Sequence, residues 1–432
     1  MRRLLTLRGW PLVPQLVVAA AVAAVAAAIA LGPPDPELNP GMYLLWPLWG
    51  AVLPLSFVAL GRLWCALCPV TLFGERVDRA FPGRPAFPPL LARRAAILSV
   101  LALAAFHLAD LWFHFEEDRG ATAVLLAVLG AAALLLTAAF RGRGWCRAFC
   151  PVGGLGRMLA RLSPLRIANG GAPCPRECPD TACTGDGGVR ALCPVGIDLR
   201  AGIDPGSCIL CGDCLKACPR LGEVGWTTLP ERAPATTAAE SLAALALLGL
   251  AADMGLSHLV DWPILFWKLT TGLGVAAGPW AETALHAGVV AAPPLGALLA
   301  AAVRRPRPTR EAHLAALARP ALALAGAALL ALAARPLLVD GPLMLQGLLR
   351  GAGREGAAWL GAFRWLDGRP LRLLQEGLVA GGLLLALAGI ARAGGGADEA
   401  AAAAERTAFP ATLFALAAGA LLLWLFSRPM LS

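Results

Sequence analysis

The chain has few charged residues. Charged side chains make up 15% of its 432 residues, against roughly 25% in ordinary soluble domains. Hydrophobic residues make up 58%, and apolar stretches of about 20 residues, each long enough to cross a bilayer core, recur along the chain. This composition excludes an ordinary soluble enzyme and predicts a polytopic membrane protein.

Lysine is nearly absent. Lys216 and Lys268 are the only two, so the net charge of +9 comes almost entirely from arginine. A nucleic-acid-binding protein would need a basic face with interleaved aromatic residues, and the sequence has none. The arginines cluster instead in short loops at the ends of apolar stretches, which indicates membrane orientation.

Cysteine is absent after residue 218. All twelve cysteines lie between Cys65 and Cys218. They follow helix ends and ferredoxin-like spacings, whereas a disulfide framework is typical of small secreted domains. Their pattern therefore favours metal binding over disulfides.

Nine apolar stretches are predicted to span the membrane. The first could pass for a secretory signal peptide, but its length favours an uncleaved helix. Residues 260–283 carry three tryptophans, as an interfacial segment or a tenth span would. The nine helices are expected near 11–31, 42–60, 95–115, 121–140, 238–259, 284–303, 315–338, 373–392 and 408–427.

Loop charges predict the orientation of these helices. Three arginines precede the first helix, whereas the loop after it has no arginine or lysine. By the positive-inside rule, the N-terminus and every cysteine lie on the cytoplasmic side of a bacterial cytoplasmic (inner) membrane. The loop charges leave the side of the C-terminus open.

An internal repeat covers the first part of the chain. GRLWCALCPVTLFGERVDR at 61–79 matches GRGWCRAFCPVGGLGRMLAR at 142–161, with one residue fewer between the paired cysteines. We predict an all-α polytopic membrane protein with a small cytoplasmic insert that resembles a double-[4Fe–4S] ferredoxin. Its expected segments are a duplicated two-helix membrane unit at 1–161, the ferredoxin-like segment at 162–236 and a cysteine-free transmembrane region at 237–432.

The strongest motif is C-x2-C-x2-C-x3-C-P, the run of bacterial ferredoxins that bind a [4Fe–4S] cluster. Zinc is the alternative, but zinc sites rarely use three evenly spaced cysteines followed by Cys-Pro. The motif comprises Cys208, Cys211, Cys214 and Cys218, followed by Pro219.

A second, less regular half-motif lies upstream and also ends in Cys-Pro. In two-cluster ferredoxins the fourth cysteine of each run ligates the other cluster. We therefore expect two [4Fe–4S] clusters with exchanged ligands. The first would be held by Cys208, Cys211, Cys214 and Cys193, and the second by Cys174, Cys178, Cys183 and Cys218.

The paired loops of the repeat contain four further cysteines, Cys65, Cys68, Cys146 and Cys150. If the two loops meet, these thiols could hold a third iron–sulfur cluster at the membrane surface. The alternative is a structural or thiol-redox role in helix-end turns. The sequence leaves both interpretations open.

Ionisable residues inside a membrane are costly and often functional. His107, Asp110 and His114 lie on one face of the third predicted helix. Asp253, His258, Asp261 and His286 are expected near the same side. A quinol site needs a proton acceptor, and His107, Asp110 and His114 are candidates. A polar helix–helix contact and axial histidines for a haem are the alternatives.

The first 220 residues resemble the membrane polyferredoxins of the NapH/NosR type. The likeness rests on WCALCP and WCRAFCP, the four predicted helices and the double ferredoxin segment. Departures are the shorter first loop, the irregular half-motif and the long C-terminal region. The resemblance implies electron transfer between the quinol pool, or a cytoplasmic donor, and a partner reductase.

We therefore expect a membrane-bound electron-transfer protein with two or three iron–sulfur clusters. Its expected partners are the lipid bilayer, quinol or quinone and partner redox subunits, with no nucleic acid. Quinol oxidation is the one chemical reaction that we consider for the protein itself. The alternatives are an accessory, assembly or redox-sensing protein for a metalloenzyme, and a transporter with a ferredoxin appendage.

Overall fold

The computed structural model describes most of the chain. The described residues are 2–36, 38–81, 83–141, 143–167, 193–195, 197, 203–217, 224–226, 237–303, 307–342, 345–346, 349, 359–360, 362, 366–393 and 399–428.

Helices dominate the described residues. In the first half they are α1 (Arg2–Leu5), α2 (Leu12–Leu31), α3 (Pro40–Tyr43), α4 (Ala51–Leu60), α5 (Leu63–Leu67), α6 (Pro69–Ala80), α7 (Pro89–Arg93), α8 (Ala95–Phe113), α9 (Arg119–Ala139), α10 (Pro151–Leu159) and α11 (Asp213–Ala217). In the second half they are α12 (Ala238–Ser257), α13 (Trp262–Gly272), α14 (Pro279–Val303), α15 (Arg307–Arg335), α16 (Arg369–Ala393) and α17 (Glu399–Ser427).

Short π-helical segments and two strands complete these elements. The strands β1 and β2 have three residues each and pair antiparallel, with Leu165 opposite Trp226. They are a small departure from the all-α prediction. The π-helical segments are π1 (Leu44–Gly50), π2 (Trp145–Phe149) and π3 (Pro336–Asp340), and the strands are β1 (Leu165–Ile167) and β2 (Val224–Trp226).

Nine helical stretches among the described residues are long and apolar enough to cross a membrane. Each overlaps one of the nine predicted spans. They are Leu12–Leu31, Pro40–Leu60, Ala95–Phe113, Arg119–Ala139, Ala238–Ser257, Pro279–Val303, Arg310–Asp340, Arg369–Arg392 and Thr407–Ser427.

The tryptophan-rich stretch 260–283 does not form another span. Its helix α13 has 11 residues, and at 1.5 Å per residue it extends about 16 Å, roughly half of a bilayer core. The indole ring of Trp262 is buried, whereas the rings of Trp267 and Trp280 are exposed. A short helix of this kind fits the interfacial alternative.

The chain divides into two compact units. Unit 1 comprises Met1–Ala27, Ser56–Ala102 and Ala123–Pro234, and it contains all the described cysteines. Unit 2 comprises Ala28–Leu55, Leu103–Thr122 and Ala235–Ser432. The cysteine-free C-terminal region therefore belongs to unit 2.

The N-terminal residues pack into the core of unit 1. Leu5 and Trp10 are buried with Leu165 and Leu210 in one hydrophobic cluster. Lys216 donates from Nζ to the carbonyl oxygen of Trp10 at 2.6 Å. Residues ahead of the first membrane helix are thus part of the folded ferredoxin region.

Close helix contacts organise unit 2. A Cβ atom on Gly249 of α12 would lie 2.4 Å from the carbonyl oxygen of Val290 on α14. A Cβ atom on Gly382 of α16 would lie 2.3 Å from the Cβ atom of Ala327 on α15. Small residues allow membrane helices to approach closely, so these helix pairs depend on glycine.

Candidate metal centres

Both loops of the repeat end in the same local structure. Cys68 and Cys150 have extended backbone angles and immediately precede α6 and α10, each of which begins with proline. Proline suits this position because the first helical N–H has no partner within the helix. The Cys150 sulfur accepts a hydrogen bond from the Gly153 N–H at 3.3 Å. A helix N-terminus favours a thiolate, so both cysteines are placed to act as metal ligands.

The loops differ in the turn between their two cysteines. The first loop forms the α-helical turn α5, whereas the second forms the π-helical turn π2. The Cys150 N–H donates to the carbonyl oxygen of Trp145, five residues earlier, at 3.0 Å. A π turn holds one residue more than an α turn. The extra residue of the second loop is therefore absorbed without displacing the following Cys-Pro.

The extra residue restricts which side chain fits at one position of the following helix. In the first loop, the Thr71 hydroxyl donates to the carbonyl oxygen of Cys65 at 2.7 Å. The equivalent residue of the second loop is Gly153, where an added Cβ would lie 2.7 Å from the carbonyl oxygen of Cys146. The wider turn brings this carbonyl so close to the helix that only glycine fits.

The four thiols of the two loops form one group, which we call the paired-loop site (Cys65, Cys68, Cys146 and Cys150). Cys146 interacts electrostatically with the other three. Burial raises the pKa of the Cys150 thiol to about 12 and raises that of Cys68. Thiolates at such a site need a compensating positive charge, which ligated iron supplies.

A second thiol group lines a cavity that we call the ferredoxin cavity (Cys193, Cys208, Cys211 and Cys214). Apolar side chains, including Ile209, complete its wall. Burial raises the pKa of Cys208 to about 12 and that of Cys214 to about 11. These are the four cysteines expected to ligate the first cluster. Soft thiolates in an apolar, water-poor cavity suit an iron–sulfur cluster.

The backbone of the ferredoxin run turns its amides toward the sulfurs. Leu210 and Gly212 have positive φ values of 58° and 80°. Backbone N–H groups of Leu210 and Asp213 donate to the sulfurs of Cys208 and Cys211. Glycine is required at position 212 for a second reason, because an added Cβ would lie 2.4 Å from the carbonyl oxygen of Leu5.

The two thiol groups are neighbours within unit 1. Cys65 of the paired-loop site packs against the hydrophobic cluster formed by Val195, Ile209 and Cys211. Ile209 and Cys211 also line the ferredoxin cavity. One side of the paired-loop site therefore lies against the wall of the ferredoxin cavity.

Two equivalent arginines of the repeat are buried beside the thiols. Arg62 and Arg143 are 2% and 3% exposed. Arg143 donates to Glu75 at 2.9 Å, and its charge acts on Cys68, Cys146 and Cys211. A carboxylate partner therefore neutralises part of the charge of this second arginine.

Arg62 has no carboxylate partner among the described residues. It donates to the carbonyl oxygen of Gly206 at 3.0 Å and hydrogen-bonds the Cys65 sulfur. Burial acts to lower its pKa, but the neighbouring thiol groups of the paired-loop site outweigh burial and raise it. Its charge also acts on Cys208. A buried cation needs a counter-charge, and an anionic thiolate-ligated cluster would supply it.

The predicted quinol residues have separate surroundings. His107 lies in a buried group with Asp253 and His286. The Asp110 carboxylate accepts a hydrogen bond from the Phe115 N–H at 2.9 Å. His114 is exposed at the end of α8 and has a φ of 46°. The candidate that shares buried partners is therefore His107.

Several predicted ligands lie outside the described residues, namely Cys174, Cys178, Cys183 and Cys218. Arg62 and Arg143 are two further functional residues, and they occupy identical positions of the repeat. Identity in both copies is the one signal in the sequence, and it carries no information about burial.

Comparison with known families locates iron–sulfur domains at these sites. Residues 42–88 and 123–168 match a family described as a 4Fe-4S binding domain, and residues 200–224 match a second 4Fe-4S binding domain. The chain contains ferredoxin-type 4Fe-4S domains. No curated protein and no solved structure matches the chain significantly.

The matched ranges agree with the thiol groups. The first family covers both cysteine loops of the repeat, and the second covers the ferredoxin run. An iron–sulfur role of the paired loops is therefore supported by their family as well as by their grouped thiols. Such domains are typical of electron-transfer proteins, of which polyferredoxins are an example.

Proposed function

We propose that this protein is a membrane-bound iron–sulfur relay. It carries electrons between the quinol pool, or a cytoplasmic donor, and a partner redox enzyme. The observation that carries the proposal is the packing of Cys65 against the wall of the ferredoxin cavity. Two neighbouring iron–sulfur sites provide the short gap that a relay needs.

The proposed ligands fall into three sets of four cysteines. Clusters held by such thiolates take up and release single electrons. The chain's own part is to position the thiols, exclude water and tune the electrostatics through buried arginines. The sets are Cys193, Cys208, Cys211 and Cys214 in the ferredoxin cavity, Cys65, Cys68, Cys146 and Cys150 in the paired-loop site, and Cys174, Cys178, Cys183 and Cys218 as predicted from sequence.

The proposed location is a bacterial inner membrane, with the N-terminus and the clusters on the cytoplasmic side. The arginine-rich loops beside the cysteines support this orientation. The nine apolar helices support multiple membrane crossings. Reporter fusions at the loops after α2 and α4 would test the orientation, and a periplasmic signal from the second loop would overturn it.

An accessory or redox-sensing protein is the alternative function. A sensor needs only one labile, exposed cluster. Cys211 and Cys214 are buried, and the paired-loop thiols are largely covered. This burial favours the relay.

The first test is the iron and acid-labile sulfide content of the full chain, purified without oxygen, combined with EPR during a redox titration. Three sets of ligands predict about twelve irons per chain, and two sets predict about eight. Cys65→Ser and Cys146→Ser should each remove one EPR signal and leave the others. Unchanged spectra in both variants would exclude the paired-loop site from the relay. A protein without iron would refute the proposed function.

A further inference from the structure

Unit 2 contains a buried group of three ionisable side chains, which we call the His–Asp–His triad (His107, Asp253 and His286). Three helices, α8, α12 and α14, supply one residue each. The two carboxylate oxygens of Asp253 lie 2.9 Å from Nε2 of His107 and 2.8 Å from Nδ1 of His286. The triad therefore joins three helices through one carboxylate.

The geometry fixes which nitrogens remain available. An ionised carboxylate accepts hydrogen bonds, so Nε2 of His107 and Nδ1 of His286 carry the protons that face Asp253. Nδ1 of His107 and Nε2 of His286 then carry lone pairs. In the described structure, Nε2 of His286 is buried and has no hydrogen-bond partner. The Trp262 ring covers His286, with ring centroids 4.9 Å apart.

Only one of these lone pairs can be reached from outside the protein. The side chains of Asp253 and His286 are fully buried, whereas that of His107 is 13% exposed. A hydroxyl group can therefore approach His107 alone. Other ionisable groups around the triad are engaged elsewhere, because Glu282 accepts from the Trp262 indole and Asp110 accepts from the Phe115 N–H.

Charge explains why the triad can exchange a proton. With two neutral imidazoles and an ionised Asp253, the net charge is −1, which is costly among membrane helices. One proton on His107 makes the triad neutral, and the carboxylate stabilises the imidazolium. The same division of roles operates where an aspartate orients a catalytic histidine.

A metal ion is the competing occupant. Histidines that bind a metal nearly always donate their other ring N–H to a carboxylate, carbonyl or water. An ion held between the three side chains would take Nδ1 of His286, and the other ring nitrogen of that histidine, Nε2, has no such partner in the described structure. The arrangement therefore favours proton exchange over metal ligation.

We propose that His107 is the proton acceptor for quinol oxidation, with Asp253 and His286 as its positioning residues. This inference rests on the proposed function, because quinol is the donor proposed for the relay. It replaces Asp110 and His114 as partners of His107 with two residues from the C-terminal region. Two residues of the cysteine-free region thereby position the proton acceptor for quinol.

The reaction balances as follows. A quinol loses two electrons and two protons, both of its O–H bonds break, and two C=O bonds form. Nδ1 of His107 accepts the protons one after the other and passes each to water. Clusters held by the cysteine sets of the proposed relay would supply the one-electron acceptors for the two electrons of each quinol.

The test uses the full chain in lipid nanodiscs with decylubiquinol as the donor. The rate of cluster reduction should fall about 100-fold in His107→Gln and at least about tenfold in Asp253→Asn. Added imidazole should partly restore the rate of His107→Ala, which loss of a structural contact would not allow. His258→Gln is the matched control, since this exposed histidine lies beside α12 and its Nδ1 is 2.7 Å from the carbonyl oxygen of Met254.

Dithionite separates this inference from the proposed function. Equal reduction by dithionite in all variants, with slow reduction by quinol only in those at His107 and Asp253, supports the proton acceptor. Rates in His107→Gln equal to wild type overturn it and leave the relay intact. A stoichiometric metal other than cluster iron, lost in Asp253→Asn, also overturns it.

A binding measurement does not depend on the clusters. Decylubiquinone should quench tryptophan fluorescence, and its affinity should fall about tenfold in His107→Ala because one hydrogen bond is lost. Binding to His258→Gln should match wild type. Unchanged binding in His107→Ala would overturn the inference even in a chain without iron.

Discussion

The two cysteine loops of the repeat lead to equivalent helix N-termini, but their backbones form different turns. The first uses an α turn and a threonine hydroxyl, and the second uses a π turn and a glycine. Both place the second cysteine at a helix N-terminus that begins with proline. The comparison shows that the position of the thiol is retained, whereas the route of the chain to it can change by one residue.

Deleting one residue from the second loop should have the largest effect. Without Ala148, the second loop would have the C-x2-C spacing of the first, and its π turn would have to become an α turn. Ala148 is fully buried, so its loss also leaves a gap. We expect the deletion to displace Cys146 and abolish the paired-loop cluster, with a loss of about four irons per chain.

Iron analysis and EPR would measure this loss. A deletion of one alanine in the exposed part of α9, such as Ala131, is not a matched control, because it rotates a whole helix. Ala148→Gly is the better control, since it keeps the loop length. Full iron content in the deletion variant would show that loop length does not matter.

Exchange of the residues at the equivalent positions 71 and 153 should have a smaller, asymmetric effect. Gly153→Thr forces a Cβ to within 2.7 Å of the Cys146 carbonyl oxygen, and overpacking of this kind costs about 1–3 kcal/mol. Thr71→Gly removes the hydrogen bond to the Cys65 carbonyl and the long one from Arg143 at 3.5 Å, and costs about 1 kcal/mol.

Thermal unfolding of the iron-loaded protein would rank these two variants. We expect the lower midpoint for Gly153→Thr. Gly153→Ala separates the clash of a Cβ atom from the effect of the hydroxyl group. Equal midpoints for Gly153→Thr and Thr71→Gly would show that the π turn relaxes easily.

Substitution of the two buried arginines should have the smallest effect of the three. We expect it to change the reduction potential of the neighbouring cluster rather than the stability of the fold. A nearby positive charge favours the reduced, more negative cluster, so Arg62→Gln should lower the potential by tens of millivolts. Arg143→Gln should lower it less, since Glu75 already offsets part of that charge.

A redox titration followed by EPR measures both potentials. Arg62→Lys keeps the charge, so its reduction potential should lie close to that of the wild type. This variant separates the effect of charge from that of packing. A larger shift in Arg143→Gln than in Arg62→Gln would contradict the role assigned to the carboxylate partner.

Much of this architecture could be predicted from the sequence, because membrane spans follow from length and hydropathy. All nine predicted spans overlap helices of the required length. The π turn could not be predicted, since one extra residue can enter a loop, a bulge or a wider turn, and hydrophobic periodicity does not distinguish them.

Long-range partners were the harder part of the site. The spacing of His107, Asp110 and His114 on one helix face predicts that they act together. The sequence also places Asp253 and His286 near the same side, but it pairs neither of them with His107. The structure pairs His107 with Asp253, which is 146 residues away in sequence. Local periodicity carries no information about which face of a distant helix lies opposite. The ferredoxin ligands were easier to predict because their spacing is local.

Burial of Arg62 has a consequence for how the protein is made. A guanidinium enclosed without an anion costs several kcal/mol, and the described residues offer it no carboxylate. Unit 1 is therefore expected to remain incompletely folded after synthesis and membrane insertion, until iron and sulfide are delivered. Cofactor supply would then set the rate of maturation, and chains made in iron-starved cells would be the ones that proteases remove.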